Sequence, residues 1–216
     1  MKNFRTFALF PLALASAVLT SGTAWGDTIQ FFDTGIAADG SLLVSGAADS
    51  HYNLLYSADS DGTTALATTA NPNWQQATTT AGWISPGSSG TQGWDSGYYT
   101  FETLLDLTGY DPTTASLSGL IAADNEVSIY LNGGQSALYS GGGFNSSSPF
   151  LLNNGFVNGI NTIDFVVHND GGPTGLMVDD ALATANAPTP EPTNLLLLAS
   201  GAMLGIVTLR KRKLPL

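Results

Sequence analysis

Short runs of alternating apolar and polar residues most limit what this chain can fold into, and turn residues separate them at intervals of about ten positions. The clearest run spans 97–107, where Tyr99, Phe101 and Leu105 fall on one face. Side chains of a β-strand point to opposite faces in turn, so such a run can bury one face and expose the other. No window of 12 or more residues has the helical period of about 3.6 residues. The chain is therefore predicted to be all-β, with its strands packed as a sandwich or barrel.

We predict that the body is a jelly-roll β-sandwich of about nine strands. Two local features add detail: Asn132-Gly133 predicts a tight hairpin turn, and Asp111 is expected to cap one helical turn that Pro112 starts. The candidate strand segments, some of them short, are 29–33, 51–56, 65–69, 83–85, 97–107, 115–121, 126–131, 135–139, 150–152, 162–168 and 175–183.

The distribution of charge excludes several classes of function. All six lysine and arginine residues lie in the first five or the last seven positions, whereas every acidic residue except Glu191 lies between Asp27 and Asp180. Nucleic-acid binding is excluded because the body has no lysine or arginine to displace counterions from phosphates. There is no cysteine, which excludes disulfides and thiolate metal sites. The body's carboxylates must be solvated, accept backbone hydrogen bonds or bind metal.

The N-terminal segment 1–26 has the features of a secretory signal peptide. Lys2 and Arg5 precede an apolar stretch at 7–19, and small residues occupy positions 24 and 26. Cleavage by signal peptidase is predicted before Asp27, with cleavage before Trp25 as the alternative. The β-sandwich domain is then expected to span 27–185 and to lie outside the inner membrane.

The C-terminal segment has three parts. A proline-rich linker at 186–194 contains Pro190-Glu191-Pro192, an uncharged run at 195–209 is predicted to form a single transmembrane helix, and a basic cytoplasmic tail follows at 210–216. Proline lacks a backbone N–H, so the linker cannot continue a strand. At about 1.5 Å per residue the apolar run spans about 22 Å, short of the roughly 30 Å hydrocarbon core, which favours transient anchoring over permanent residence.

This order of motif, short apolar helix and basic cluster resembles the PEP-CTERM sorting signal of exported bacterial proteins. The resemblance implies recognition by an integral-membrane exosortase, followed by residence at the cell surface or in the extracellular matrix. The alternative is an ordinary single-pass anchor behind a proline linker. The residues that carry the sorting motif are Pro190, Glu191, Pro192, Arg210, Lys211, Arg212 and Lys213.

The body also resembles that of a group of PEP-CTERM proteins, which is similar in pattern to galactose-binding-like, carbohydrate-binding jelly rolls. The resemblance covers about 49–183 and departs from the pattern at 59–80 and 141–143. The segments that carry it are 83–85, 97–101, 106–109, 122–125, 131–133, 155–156, 161–167 and 173–176.

Three aromatic residues are candidate stacking platforms for sugars. Trp74, Trp94 and Tyr98 lie in or beside segments rich in Asn, Gln and Ser, and exposed rings of this kind pack on the apolar faces of sugars. Each of the three could instead pack in a loop or anchor a strand. Trp83, at the start of a strand, is assigned to the core.

A structural calcium ion has two candidate sites. Asp59 and Asp61 precede a glycine as in the first half of a calcium loop, although the distal glutamate of that loop is missing. Asp49 with Asp179 or Asp180 is an equally plausible set, by analogy with jelly rolls that hold calcium between an early loop and the last strands. The alternative for either set is a solvated aspartate turn.

No motif in the sequence points to catalysis. There is no Gly-x-Ser-x-Gly elbow, phosphate loop or His-Glu-x-x-His helix. We therefore predict a non-enzymatic exported protein that binds exopolysaccharide. The alternatives are a structural matrix protein without a discrete ligand and a glycan hydrolase that uses two of the many carboxylates.

Overall fold

The computed structural model of the protein describes residues 26–59 and 64–188. The signal peptide apart from Gly26, the Pro-Glu-Pro motif, the predicted transmembrane helix and the basic tail lie outside the described residues. Within the described ranges, no helix is long and apolar enough to cross a membrane.

Two antiparallel β-sheets make up this part of the chain. The six-stranded sheet has the order β3-β4-β11-β6-β9, with β1 also paired to β11, and the five-stranded sheet has the order β2-β5-β10-β7-β8. The strands described are β1 (Asp27–Ile29), β2 (Asn53–Ser57), β3 (Leu66–Ala67), β4 (Ile84–Ser85), β5 (Gly97–Asp106), β6 (Asp111–Asp124), β7 (Glu126–Leu131), β8 (Tyr139–Gly141), β9 (Ser148–Leu152), β10 (Ile160–Asn169) and β11 (Gly175–Asn186). The all-β sandwich predicted from the alternation is confirmed, with more strands than the nine expected.

The core lies between the sheets and is built from alternate residues of the long strands. On β5, Tyr99, Phe101 and Leu105 are fully buried, as the alternation predicts. The inward positions of β7 and β10 are likewise buried, and Phe165 of β10 packs edge-on against Phe150 of β9. Each large apolar side chain buried in this way contributes roughly 1.5–3 kcal/mol to folding. The outward positions of the same strands are therefore fixed on the other face of the five-stranded sheet.

A second apolar cluster covers the outer face of the six-stranded sheet. Ala122 of β6 and Met177 of β11 are register partners on that face, and Trp74, Ala81 and Trp83 pack on them. Trp83 is therefore a core residue, as predicted. The segment that precedes β4 thus occupies this face, whereas the outer face of the five-stranded sheet carries exposed aromatic side chains such as Tyr56 and Tyr98.

The predicted helical turn at Asp111 is wrong, because β6 begins at that residue. The Asp111 carboxylate accepts hydrogen bonds from the backbone N–H and the hydroxyl of Thr113. These bonds stabilise a local turn, and no helix begins there. Pro112 is tolerated because β6 has β9 as its neighbour only from Leu117 onward, which leaves that edge free of ladder bonds at the proline.

The structure also differs from the prediction at two strand boundaries, one at the first strand and one after the Asn132-Gly133 turn. The first strand ends at Ile29, where it was predicted to begin. The Asn132-Gly133 turn itself is confirmed, since the two residues have positive φ values of 53° and 65°. The strand that returns from this turn begins only at Tyr139, in place of the predicted 135–139.

Candidate functional site

The candidate site is the outer face of the five-stranded sheet, where side chains from neighbouring strands form rows. β10 lies between β5 and β7, and its register pairs His168 with Tyr98 on one side and with Glu126 on the other. Side chains directly opposite each other on one sheet face have Cβ atoms about 4.5–5.5 Å apart. Glu126, His168 and Tyr98 therefore form the first row, at the end of the sheet where β5 begins.

The rings of Tyr98 and His168 pack against each other. Their centroids are 4.9 Å apart at an interplanar angle of 46°, and Tyr98 is 56% exposed. The Nδ1 atom of His168 lies 3.6 Å from a carboxylate oxygen of the exposed Asp170. Because both rings stand on paired strands, this exposed aromatic surface is held by the backbone ladder.

A groove of about 370 Å³ runs beside this pair towards β7. Tyr98 and Tyr130 stand on its walls, Val166 and His168 come from the central strand, and Ser128 adds a hydroxyl. The second row crosses this groove, since Val166 pairs with Ser128 and with Thr100, and Thr100 pairs with Tyr56 of β2. Tyr56 is 58% exposed.

The third row contains two adjacent carboxylates. Asp164 of β10 pairs with Glu102 of β5 and with Tyr130 of β7, and Asn53 of β2 lies beyond Glu102. Burial raises the pKa of Asp164, and partial burial together with the charge of Asp164 raises the pKa of Glu102. The Asp164 Oδ1 atom is buried and has no hydrogen-bond partner among the described residues. The row therefore places two carboxylates beside an aromatic ring, and one carboxylate oxygen lacks a hydrogen-bond partner.

Of the predicted stacking residues, only Tyr98 lines the groove. Trp94 is half-buried in the loop before β5, where its backbone N–H donates to the carbonyl of Gly172 at 2.7 Å. Its ring packs over Gly87, since a Cβ added there would lie 2.6 Å from the Trp94 Cζ2 atom. The indole N–H of Trp94 is buried without a partner among the described residues.

The exposure expected of Trp74 is wrong, because the structure buries this ring. Trp74 is only 4% exposed, its ring centroid lies 4.3 Å from that of Trp83, and its indole N–H donates to the Asp124 carboxylate at 2.7 Å. In this position the ring has no free face for a sugar, so Trp74 is a packing residue.

Tyr130, Tyr56 and His168 are site residues that the sequence analysis did not single out. A signal for two of them was present in the alternation of these strands, where Tyr130 and His168 alternate with buried residues. What was missing was the strand order, because only the placement of β10 between β5 and β7 brings these outward residues together.

The residues of the predicted calcium sets are engaged in hydrogen bonds. Asp49 accepts from the backbone N–H of Gly35 at 2.7 Å and of His51 at 2.9 Å, and Asp179 accepts from the Thr80 hydroxyl at 2.8 Å and from the Asp180 N–H at 3.0 Å. These bonds are those of turn-forming and bridging aspartates.

The second calcium set is only partly described. Asp59 accepts from the Asp95 N–H at 3.0 Å and from the Tyr99 hydroxyl, while Asp61 lies outside the described residues. Among residues 26–59 and 64–188, no group of three or more histidine and acidic side chains is arranged to hold a metal ion. The predicted calcium sets are therefore not assembled in this part of the chain.

A third acidic side chain, Asp33, lies near Asp179 and Asp180, at an irregularity in the pairing of β11 with β6. The sequence pattern did not identify it as a candidate site residue. Its Oδ1 atom accepts the N–H of Ala181 at 2.9 Å. Burial, reinforced by the charges of Asp179 and Asp180 and opposed by this hydrogen bond, raises the Asp33 pKa to about 6.

No protein-family model matches the chain, and no curated protein matches it. Among solved structures, it is similar to the carbohydrate-binding module TmCBM61 in complex with β-1,4-galactotriose, with 10% identity, a TM-score of 0.43 and coverage of 66% of this chain and 95% of that one. It is also similar to the Stig cyclase FisC from Fischerella sp. TAU, with 14% identity, a TM-score of 0.45 and coverage of 76% and 99%. A family 29 carbohydrate-binding module complexed with cellulohexaose matches with 12% identity, a TM-score of 0.32 and coverage of 62% and 91%. At these identities and TM-scores the similarities carry no argument about function.

Proposed function

We propose that this chain is an exported, non-catalytic protein whose five-stranded sheet face binds a polysaccharide. The observation that carries the proposal is the exposed Tyr98–His168 pair beside a groove with Tyr130 on its other wall. Aromatic rings offer an apolar surface to the C–H face of a sugar, and the neighbouring hydroxyl and carboxylate groups accept its hydrogen bonds. Paired strands hold these groups in place, so little conformational entropy is lost on binding.

The test is a glycan array with the full chain purified in detergent, followed by titration of each hit with Tyr98→Ala. Loss of the Tyr98 ring removes the larger exposed part of the aromatic pair, and we expect binding to weaken about tenfold or more. Leu151→Ala is the matched control, because Leu151 is also exposed but lies on β9 of the other sheet. If no polysaccharide binds, the chain has no such ligand, and the structural matrix role is then favoured.

A hydrolase would use Glu102 and Asp164, the adjacent carboxylates on this face. Glycosidases divide the work between an acid and a base or nucleophile, which requires environments that push the two pKa values apart. Both pKa values are raised by burial here. Neither carboxylate lines the groove beside the Tyr98–His168 pair, which favours binding over catalysis. Release of reducing ends from a bound glycan, abolished by Glu102→Gln, would overturn that preference.

We further propose that the C-terminal segment sorts the protein to the cell surface or extracellular matrix through an exosortase. β11 begins beside Asp124, next to the row that contains Glu126, and ends at Asn186 beside Asp111. At about 3.3 Å per residue, the 12 residues of β11 separate these ends by roughly 36 Å. The linker therefore leaves the sandwich at the end away from the groove, so a transiently anchored protein would direct the groove away from the membrane.

Cell fractionation with intact-mass analysis tests this sorting. We expect a mature N-terminus at Asp27 and a mass that lacks the segment beyond the Pro190-Glu191-Pro192 motif, and we expect Glu191→Ala to retain the full C-terminus. A surface protein that keeps residues 193–216 in the unmodified chain would show that the segment is a permanent anchor.

A further inference from the structure

The charge of the binding face limits which polysaccharides it can accept. Glu102, Glu126 and Asp164 all lie on this face, and His168 is its one basic group among the described residues. The sequence has no lysine or arginine between positions 6 and 209. The negative charge of a uronic acid or sulfated sugar would therefore be repelled by these three carboxylates. The face has no lysine or arginine that could form an ion pair with it.

A neutral sugar would leave the negative charge of the third row uncompensated. Asp164 and Glu102 are neighbours across paired strands, and Asp164 Oδ1 is already buried without a hydrogen-bond partner. Covering both carboxylates with a neutral ring would remove water from two like charges and supply no opposite charge, which is costly. A protonated amine would donate hydrogen bonds to both carboxylates and compensate their charge.

The spacing of the rows shows that such a ligand must be an oligomer. His168 and Asp164 are four residues apart on β10, a distance of about 13 Å along the strand. One sugar ring cannot contact both the Tyr98–His168 pair and the carboxylate row over that distance. A chain of sugars that follows β10 would reach both, with Tyr130 adjoining the groove and the carboxylate row alike.

We propose that the ligand of this face is a glycan with free, protonated amino groups, that is, a partly or fully de-N-acetylated amino-sugar polymer. An ammonium group lies between Asp164 and Glu102, and another ring of the same chain packs on Tyr98. This assignment rests on the proposed polysaccharide-binding function and names its ligand class. The two carboxylates set the preference, and the tyrosines supply the stacking surface.

The experiment compares two ligands with the same backbone, the β-1,4-linked hexamers of N-acetylglucosamine and of glucosamine. Binding to the full chain is measured by calorimetry at about pH 6, with a chelator present so that no divalent cation bridges the carboxylates. We expect the glucosamine hexamer to bind about tenfold more tightly, because each new contact is a charge-assisted hydrogen bond. A polyuronate oligomer should not bind.

The double variant Glu102→Gln/Asp164→Asn tests the site. It retains the shape of both side chains and one acceptor oxygen of each, and we expect the affinities of the two hexamers for it to differ by less than about twofold. Asp111→Asn is the control, since it removes one carboxylate from β6 in the other sheet and keeps the acceptor that Thr113 uses.

Three other results would count against the inference. Equal binding of the two hexamers, sensitive to Tyr98→Ala, would keep the polysaccharide-binding function and overturn the amino-sugar assignment. A preference that Asp111→Asn weakens as much as the double variant would show that the overall negative charge, and not the Glu102–Asp164 pair, attracts the ligand. No binding of these hexamers or of any glycan on an array would overturn both proposals.

Discussion

The burial of Asp33 makes a quantitative prediction about how stability depends on pH. Its pKa is about 6 in the folded protein, whereas an aspartate in an unfolded chain has a pKa near 3.8. A raised pKa means that the fold prefers the protonated form. The contribution of this group to stability is therefore fully present below about pH 4 and is lost as the pH rises through 6.

The size of the effect follows from that difference. Undiminished, a difference of about two between the folded and unfolded pKa values corresponds to roughly 3 kcal/mol at neutral pH. Asp33 remains partly exposed to water, which screens its charge, so we expect about 1–2 kcal/mol. Asp33→Asn keeps an oxygen for the Ala181 N–H and carries no charge to repel Asp179 and Asp180, so it should raise the free energy of unfolding by this amount at pH 7.5.

Thermal unfolding of the full chain between pH 4 and pH 7.5, in the presence of a chelator, measures the effect. We expect Asp33→Asn to raise Tm by about 3–6 °C at pH 7.5 and to leave it nearly unchanged at pH 4. Asp39→Asn is the control, because Asp39 is exposed and hydrogen bonds from Ser41 hold its pKa below the usual value. It should be neutral or slightly destabilising at pH 7.5.

A Tm difference that does not change between pH 4 and pH 7.5 would refute the reasoning, since titration of Asp33 would then contribute nothing. A repeat with calcium in place of the chelator also tests the predicted calcium ion. A Tm of the unmodified chain that is the same in calcium and in chelator would contradict that ion.

The remaining predictions concern stability at two other positions. Trp74→Phe should lower the free energy of unfolding by about 1–3 kcal/mol, because the buried Asp124 carboxylate loses its indole donor. Tm should fall accordingly, and an unchanged Tm would contradict the structural role of Trp74. Gly90→Ala should lower the free energy of unfolding by about 1–3 kcal/mol, because the added Cβ would lie 2.0 Å from the Thr69 carbonyl oxygen. Gly143→Ala should be nearly neutral in chemical denaturation, because no atom lies within 4 Å of a Cβ added there. Equal midpoints for these two glycine variants would show that the loop at Gly90 is free to move.

The strand pattern shows what sequence reasoning can supply. Tyr99, Phe101 and Leu105 are buried as predicted, because alternation is a property of the extended backbone itself and holds wherever one face of a strand meets a core. The Asn132-Gly133 turn was predictable for the same reason, since positive φ at two successive residues is a local requirement.

Trp74 shows where local reasoning failed. Its polar neighbours in sequence suggested a loop exposed to solvent, yet its ring packs on Trp83 and its indole N–H bonds to Asp124, 50 positions away. The same holds for Asp33, whose neighbours Asp179 and Asp180 come from the far end of the chain. The sequence within a few residues of either position does not identify these contact partners.

By itself, the sequence determined the fold class, the residues of the 97–107 strand that share one face, and a body without lysine or arginine. Only the tertiary structure decided that β10 lies between β5 and β7, and so that His168 meets Tyr98 and Asp164 meets Glu102. The physical reason is that side-chain alternation depends on backbone geometry within one strand, whereas strand order and register depend on packing between segments far apart in the chain. A binding face built across several strands exists only once that packing is set.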